Sequence, residues 1–409
     1  MDIRAPLALA LSLFAATAGA AKVEPWPLPV NGQAAQPSLS QGTDGSLNLT
    51  WIERNGNGHR LRMARFGGGR WQAASTVAEG GNWFVNWADF PSSSQLPDGS
   101  LWAHNLVKSG AGTYAYDLVL YRSRDAGRTW SKPIVVNTDA TATEHGFATL
   151  WPWSKNQLAI AWLDGRQTAG TAPHAGHDGT ATVDLSKAMS LRAAAFDGEG
   201  RRTGEWSLDT STCDCCQTDS ALTADGPIVV YRDRDAREVR DIHATRFVAG
   251  HWQTPKPVAR DGWVMPACPV NGPAVAAAGR KVWTAWYSAA GGQPALRVAY
   301  SSDAGASFPV ARTHRRGDAV QGRAELSADA RGAWLLWTEE QAQQTIWLQR
   351  IDTALQPTGP ALRVATLSGR GRATGFARMQ QAGGFLHVVW TDAVAGKPVL
   401  QGARIRVAN

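Results

Sequence analysis

After its first sixteen residues the chain has no long apolar run. No segment approaches the roughly 20 consecutive apolar residues that a membrane-spanning helix needs, which excludes such a helix from the body of the chain. Blocks of like charge are missing too. Charged residues make up 18% of the sequence, and the basic excess that gives a net charge of +7 is scattered along the whole length. That distribution argues against a nucleic-acid-binding arm. No Pro/Ser-rich linker divides the chain, so residues 21–409 are expected to form one domain, as a monomer. Cysteine is scarce, with four in all, and none follows the small-residue stretch Ala18-Gly19-Ala20. A lipid-anchored N-terminus is therefore not expected. The Cys-x-x-Cys-His of c-type haem attachment is missing as well.

What is present begins with a leader. Arg4, the apolar residues 5–16 and the Ala18-Gly19-Ala20 site make residues 1–20 read as a cleavable signal peptide, placing the mature protein in the periplasm or outside the cell. The remainder, in a chain that is 44% hydrophobic, has enough apolar matter for a sizeable core. A mildly cationic exported protein would be drawn to anionic glycans or envelope surfaces.

The strongest signal is an internal period of about 50 to 70 residues. An alternating strand ending in Trp recurs as Leu47-x-Leu49-x-Trp51, Leu158-x-Ile160-x-Trp162, Val282-x-Thr284-x-Trp286, Ala333-x-Leu335-x-Trp337 and Leu386-x-Val388-x-Trp390. Two altered copies complete the series: Val229-x-Tyr231 keeps an aromatic, and the repeat opened by Asp98-Gly99-Ser100-Leu101 has Asn105 in the Trp place. Each copy is followed by a second alternating strand, commonly by a further strand opening with an aromatic (Trp71, Trp130, Trp206, Trp252), and is preceded by a short strand of small residues, which makes the aromatic-led strand the fourth of its repeat. Period-two alternation broken by Gly, Asn and Asp turns describes antiparallel hairpins. The expected fold is all-β, a seven-bladed β-propeller of four-stranded antiparallel blades, closed by residues 26–30 pairing with the last repeat. Six blades is the alternative if an altered repeat is not a blade.

Two turns read Ser123-Arg124-Asp125-Ala126-Gly127-Arg128-Thr129-Trp130 and Ser301-Ser302-Asp303-Ala304-Gly305-Ala306-Ser307-Phe308. Both fit Ser-x-Asp-x-Gly-x-Thr/Ser-aromatic, which resembles the Asp box, or BNR repeat, of the sialidase-like propeller superfamily. In that superfamily Ser and Asp bond the turn amides, Gly takes the unusual backbone angle and the aromatic wedges between blades. The resemblance implies a propeller whose Asp boxes lie on the face opposite the working site. It also implies the sialidase machinery of an arginine triad for the substrate carboxylate, a Tyr nucleophile paired with Glu, and an Asp acid/base. This chain departs from that pattern, because the Arg-Ile-Pro segment of the first triad arginine is missing. Arg166 and Arg232, at the ends of second strands, do not match the triad residue by residue. Exo-sialidase-like hydrolysis and simple binding both stand as expectations.

Loops entering the inner strands and joining second to third strands open on one face of a propeller and carry function there. On that face fall Trp83 and Trp87, which sit outside the repeat register, then Glu144, His145, Arg166, and the Arg232-Asp233-Arg234-Asp235 run with Arg240-Asp241. An anionic or carbohydrate-like ligand would be held by Arg166, Arg232, Asp233 and His145 and stacked on Trp83 and Trp87. The charged run reads equally as a solvated ion-pair ladder. His174 and His177, in a Gly-rich insertion, read as exposed side chains or ligands. All four cysteines fall there too: Cys213, Cys215 and Cys216 before the fourth blade and Cys268 before the fifth. They read as a disulfide stapling blades four and five through Cys215 or Cys216, as a copper or zinc site aided by Met265 or a histidine, or as a redox dithiol. The corresponding partners are a small anionic or glycan ligand, or an envelope protein bound by a scaffold.

Overall fold

The structure is a computed structural model that describes residues 22–170 and 184–407; the proposed leader, His174 and His177 lie outside the described residues. Seven antiparallel sheets follow one another along the chain. From the inner strand outward, blade one is Ala34–Gln41, Leu47–Asn55 and Gly58–Gly67, edged by Arg70–Trp71 and Ser75–Gly80. Blade two is Ser93–Gln95, Leu101–Lys108, Tyr116–Ser123 and Ile134–Val135, and blade three is His145–Pro152, Leu158–Asp164, Met189–Phe196 and Arg202–Thr212. Blade four is Asp219–Thr223, Gly226–Arg232 and Ile242–Val248, edged by His251–Trp252 and Lys256–Pro257. Blade five is Ala274–Ala278, Lys281–Ser288, Ala295–Ser301 and Val310–Arg316, and blade six is Val320–Asp329, Gly332–Glu340, Gln344–Ile351 and Leu362–Leu367. Both altered repeats are therefore blades, and the count is seven. Among the described residues no helix is long and apolar enough to cross a membrane.

Blade seven, Arg378–Ala382, Phe385–Val394 and Lys397–Arg406, takes its outermost strand from the other end of the described chain. That strand is Val23–Pro25, with Val23 opposite Ile405, and not residues 26–30. Trp26 only adds its N–H to Gly402 O (2.9 Å). Its indole is buried against Phe66, Trp71 and His387, so the aromatic locks the seam instead of lying in it.

Because each blade is sandwiched between two others, its second strand is covered on both faces; every residue of Leu158–Asp164 is buried. The repeated Trp is wedged between blades, and in three of them its indole N–H is answered by the carboxylate two residues on: Trp51 to Glu53 (2.7 Å), Trp162 to Asp164 (2.9 Å) and Trp337 to Glu339 (2.9 Å). A Trp-x-acid spacing thus satisfies the one polar atom of a buried indole. Trp130, expected to open a fourth strand, instead closes the turn before Ile134–Val135. In that turn Ser123 Oγ accepts from Gly127 N (2.8 Å) and Asp125 Oδ1 from Thr129 N (2.9 Å); in the second, Ser301 Oγ accepts from Gly305 N (2.9 Å) and Asp303 Oδ1 from Ser307 N (3.0 Å). Gly127 and Gly305 have φ of +86° and +82°, where a side chain is strained. Both turns join third to fourth strands, at the end opposite the inner-strand entries.

Those entries share a device. Bulges in the inner strands of blades one, three and six hold Gln36, Phe147 and Arg323 at φ of 58°, 53° and 51°. The main-chain N–H of each is met by a side chain from another blade or the connector leading into one: Thr391 Oγ1 (3.2 Å), Asp89 Oδ1 (2.9 Å) and Asn271 Oδ1 (3.1 Å). Strain of this kind persists only where the surroundings over-determine it, and here it marks the channel mouth.

Candidate functional site

The segment of residues 86–90 is held across that mouth. Asn86 O accepts from Gln36 Nε2 of blade one (2.5 Å), Ala88 O from Gln217 Nε2 before blade four (2.8 Å), and Asp89 from Phe147 of blade three. Trp87 consequently reaches the far side, where it stacks on Phe376 (5.8 Å between centroids, 15° between planes). Two guanidinium groups lie over its ring, Arg323 at 5.1 Å and Arg372 at 5.8 Å. Arg323 is buried and donates to Gly375 O (2.8 Å), Gly371 O (2.9 Å) and Thr374 Oγ1 (3.1 Å). Arg372 is exposed, Trp87 is partly so, and among the described residues no carboxylate pairs with Arg372. Beneath lies the central channel, about 640 Å³, lined by all seven inner strands and largely hydroxylic, with Ser38, Ser93, Thr149 and Ser220 among the lining. Its ionisable side chains are Arg378 and Glu325, paired at 3.1 Å, with Asp219 beside them, together with Asp89 and Asp329.

Next to this segment Tyr116, fully buried, places its hydroxyl 3.1 Å from Asp89 Oδ2 and 2.8 Å from Glu144 Oε1. A phenol has one proton to donate, so both contacts are hydrogen bonds only if one carboxyl carries a proton of its own. Burial pushes Asp89 up to about 7, against the bonds it accepts from Phe147 and Tyr116. Burial pushes Glu144 up as well, against the bond it accepts from Tyr116, and Asp89, Asp214 and Cys268 add to the rise. Residues 116, 89 and 144 form a buried proton-holding trio one layer below the mouth.

The predicted ligand residues do not assemble. Arg166 is held bidentately by Asp164 (2.7 and 2.9 Å), with Glu205 at 3.6 Å and Asp139 at 3.9 Å, so its charge is already neutralised. His145 belongs to the same cluster, 3.2 Å from Asp139 and 3.9 Å from Asp164, with Nδ1 against Tyr116 O (3.1 Å). Burial lowers the His145 pKa, yet the two carboxylates outweigh it and hold it above the usual value. Arg232 is buried, stacks on Trp263 at 4.8 Å and donates to three main-chain carbonyls: Arg240 O (2.6 Å), Tyr287 O (2.7 Å) and Asn271 O (2.8 and 3.1 Å). Its role is to tie the connectors of blades four and five. Asp233 sits 3.5 Å from His243, pushed up to about 7 by burial and by Asp209, an acidic setting that repels anions. Trp83 packs between blades one and two, stacked on His59, away from Trp87.

The charged run is a buried network and not a solvated ladder. Arg234 pairs with Glu238 (2.5 Å) and Asp214 (3.4 Å), Arg240 pairs with Glu238 (2.7 Å), and only the Asp235–Arg237 pair faces solvent. This network packs on the cysteines. Cys213, Cys215 and Cys216 are buried in the turn between Arg202–Thr212 and Asp219–Thr223, their three sulfurs within 4.8 Å of one another. Cys213 and Cys216 Sγ are 2.6 Å apart, and Cys215 interacts with the partly exposed Cys268. Burial raises the Cys213 thiol, but hydrogen bonds from Cys215 and Cys216 and the charges of Arg240 and Arg232 bring it well below its ordinary value.

The residues that sequence reasoning missed are Tyr116, Arg323, Arg372 and Phe376. Tyr116 is hidden in ordinary strand alternation. The others come from the entries of blades six and seven, where only the glycines of residues 369–375 signalled a loop.

No family model matches the chain, and no curated protein matches it. Among solved structures it is similar to the polysaccharide lyase Uly1, at 9% identity over 92% of this chain and 90% of that one, with a TM-score of 0.53. It is similar to a phage phi92 endosialidase at 8% identity, over 95% of this chain and 69% of that one, TM-score 0.52. A Dyadobacter fermentans protein of unknown function aligns at 13% identity over 92% and 95%, TM-score 0.50. The likeness is one of fold, a seven-bladed β-propeller.

Proposed function

We propose that this sialidase-like propeller is an exported protein that binds an acidic carbohydrate at its channel mouth. The observation that carries the reading is Trp87, held across the mouth by three blades, with the exposed Arg372 over its ring and free of any carboxylate partner among the described residues. An aromatic face packs the C–H face of a sugar ring, and an uncompensated guanidinium takes a carboxylate or sulfate in a fork. Two structural neighbours are named as a polysaccharide lyase and an endosialidase, which agrees with such a ligand on this fold. Fold alone assigns no chemistry, and here the arginines first expected to grip a carboxylate are spent on Asp164 and on carbonyls. Binding is therefore the function, with the Asp89–Tyr116–Glu144 trio beneath it as a proton store.

The test is calorimetry of the mature protein against matched acidic and neutral oligosaccharides, sialylated and uronic-acid-containing. Acidic chains should bind and neutral counterparts should not, with affinity falling as salt rises. Arg372→Ala and Trp87→Ala should each weaken binding about tenfold, the cost of roughly 1–2 kcal/mol for a lost stacking or charge-assisted contact. Equal binding of neutral chains, or affinity unchanged in both variants, would overturn the reading. Turnover of the bound chain, detected by chromatography in the same samples, would replace a binding protein with an enzyme.

A further inference from the structure

We propose that Cys213, Cys215 and Cys216 form a three-sulfur site for a soft monovalent metal ion, Cu(I), separate from the carbohydrate platform and not dependent on it. The chain itself assembles the donors. A six-residue connection between two strands of adjacent blades brings three sulfurs within 4.8 Å of one another, with no imidazole or carboxylate in the set. Thiolates select Cu(I) or zinc over the oxygen-loving metals. Structural zinc takes four ligands in a tetrahedron, whereas Cu(I) is satisfied by two or three sulfurs.

The surroundings fit the charge of such a complex. The buried groups packed on the turn are Arg232, Arg234 and Arg240 against Asp214 and Glu238, which leaves one positive charge in excess. Cu(I) bound by two ionised thiols and one neutral thiol carries one negative charge. Arg240 gives a second, independent pointer: its Nη1 is buried and has no hydrogen-bond partner among the described residues, while Cys213 and Cys216 act on its charge. An unpaired buried guanidinium N–H is costly, and a metal-bound thiolate is the acceptor that would satisfy it.

Access is provided from one side. Cys213 and Cys216 are sealed at 0% and 1% exposure, Cys215 is at 8%, and the partly exposed Cys268 interacts with Cys215. Cys268 is thus placed as the entry thiol, handing the ion inward to the three. Binding requires Cys213 and Cys216, now 2.6 Å apart, to separate to about 4 Å, the spacing that three metal–sulfur bonds near 2.3 Å impose in a plane. Each thiol that ionises on binding releases its proton to solvent; no electron is transferred.

The experiment uses the full mature chain, reduced and handled anaerobically, titrated with Cu(I) against the chromogenic chelator bicinchoninate, with metal content by mass spectrometry and X-ray absorption at the copper edge. The expected result is one copper per chain in a sulfur-only shell. Cys215→Ser should lose at least about 100-fold in affinity, the upper end of what loss of a merely supporting residue brings. Cys268→Ser should keep one copper per chain. The absorption spectrum of the unaltered protein decides the question even if Cys215→Ser fails to fold. Failure of the reduced protein to hold copper against the chelator, zinc that Cu(I) does not displace, a Cys213–Cys216 disulfide that survives reduction and blocks uptake, or loss of copper in Cys268→Ser would each overturn the three-sulfur assignment.

Discussion

At the scale of single residues, the guanidinium groups of this propeller differ less in position than in what their N–H groups already serve. Arg232 and Arg372 both lie at the working end of the molecule, yet one is buried on three carbonyls and an indole while the other is exposed without a carboxylate. A strand-end position in the sequence gives proximity to the face; it does not say whether the side chain turns outward or into the connector. That is why Arg166, Arg232 and Asp233 were legible as lying near that face while the partners of their side chains were not, and why Arg372, lying in no repeat element, was not legible at all. The contrast is measurable. Arg232→Met should destabilise the protein by roughly 3 kcal/mol or more, because carbonyls of Asn271, Arg240 and Tyr287 lose their donor in a dry interior. Arg372→Ala should leave stability within about 0.5 kcal/mol of the parent, as surface changes do. Urea unfolding of the two variants checks both, and similar losses in both would show the roles misassigned.

At the scale of elements, the strands were legible because their residues obey one rule everywhere: alternate side chains meet a neighbouring blade. Outer strands obey a weaker rule, since one edge faces solvent, and their positions drift; Trp206 lies mid-strand, Trp71 and Trp252 in two-residue strands, and Trp130 in none. The closing strand shows the same limit. Residues 26–30 attract the eye because they contain Trp26, but its burial comes from plugging the seam formed by Val23–Pro25 and Lys397–Arg406. Truncating this plug by Trp26→Ala should cost about 3–5 kcal/mol, as for other large aromatic side chains removed from a core. Val30→Ala, at the partly exposed end of the misassigned segment, should cost under about 1 kcal/mol. Equal costs in a denaturant titration would return the seam to residues 26–30. The cysteine turn belongs to this scale too: its spacing was visible in sequence, but the arginine network that encloses it depends on a loop from the neighbouring hairpin folding over it.

At the scale of the whole molecule, a ring of blades forces ionisable groups into the channel and the interblade layers, and their protonation is tied to folding. Burial pushes Asp89 and Asp233 up to about 7 and Glu325 up to about 8, and raises Glu144 and Asp219 in the same direction. In the unfolded chain these carboxyls release their protons near pH 4, so above that point the folded state holds more protons and stability falls as pH rises. Burial acts oppositely on His104, His314 and His387, pushed down to about 4: they fold neutral, and stability rises with pH until the unfolded imidazoles deprotonate near 6.5. Between about pH 4 and 6.5 the three histidines offset the five carboxyls only in part. Beyond that the histidines contribute nothing more, while the carboxyls go on costing stability. The melting temperature should therefore fall from pH 5 to pH 8, a direction opposite to that of a protein whose carboxylates are mainly salt-bridged. Asp89→Asn should flatten the fall, since an amide in that place accepts from Phe147 without losing a proton. Calorimetric melts at pH 5, 6.5 and 8 test this, and a melting temperature that climbs from 6.5 to 8 would mean that the buried carboxyls are ionised in the folded ring.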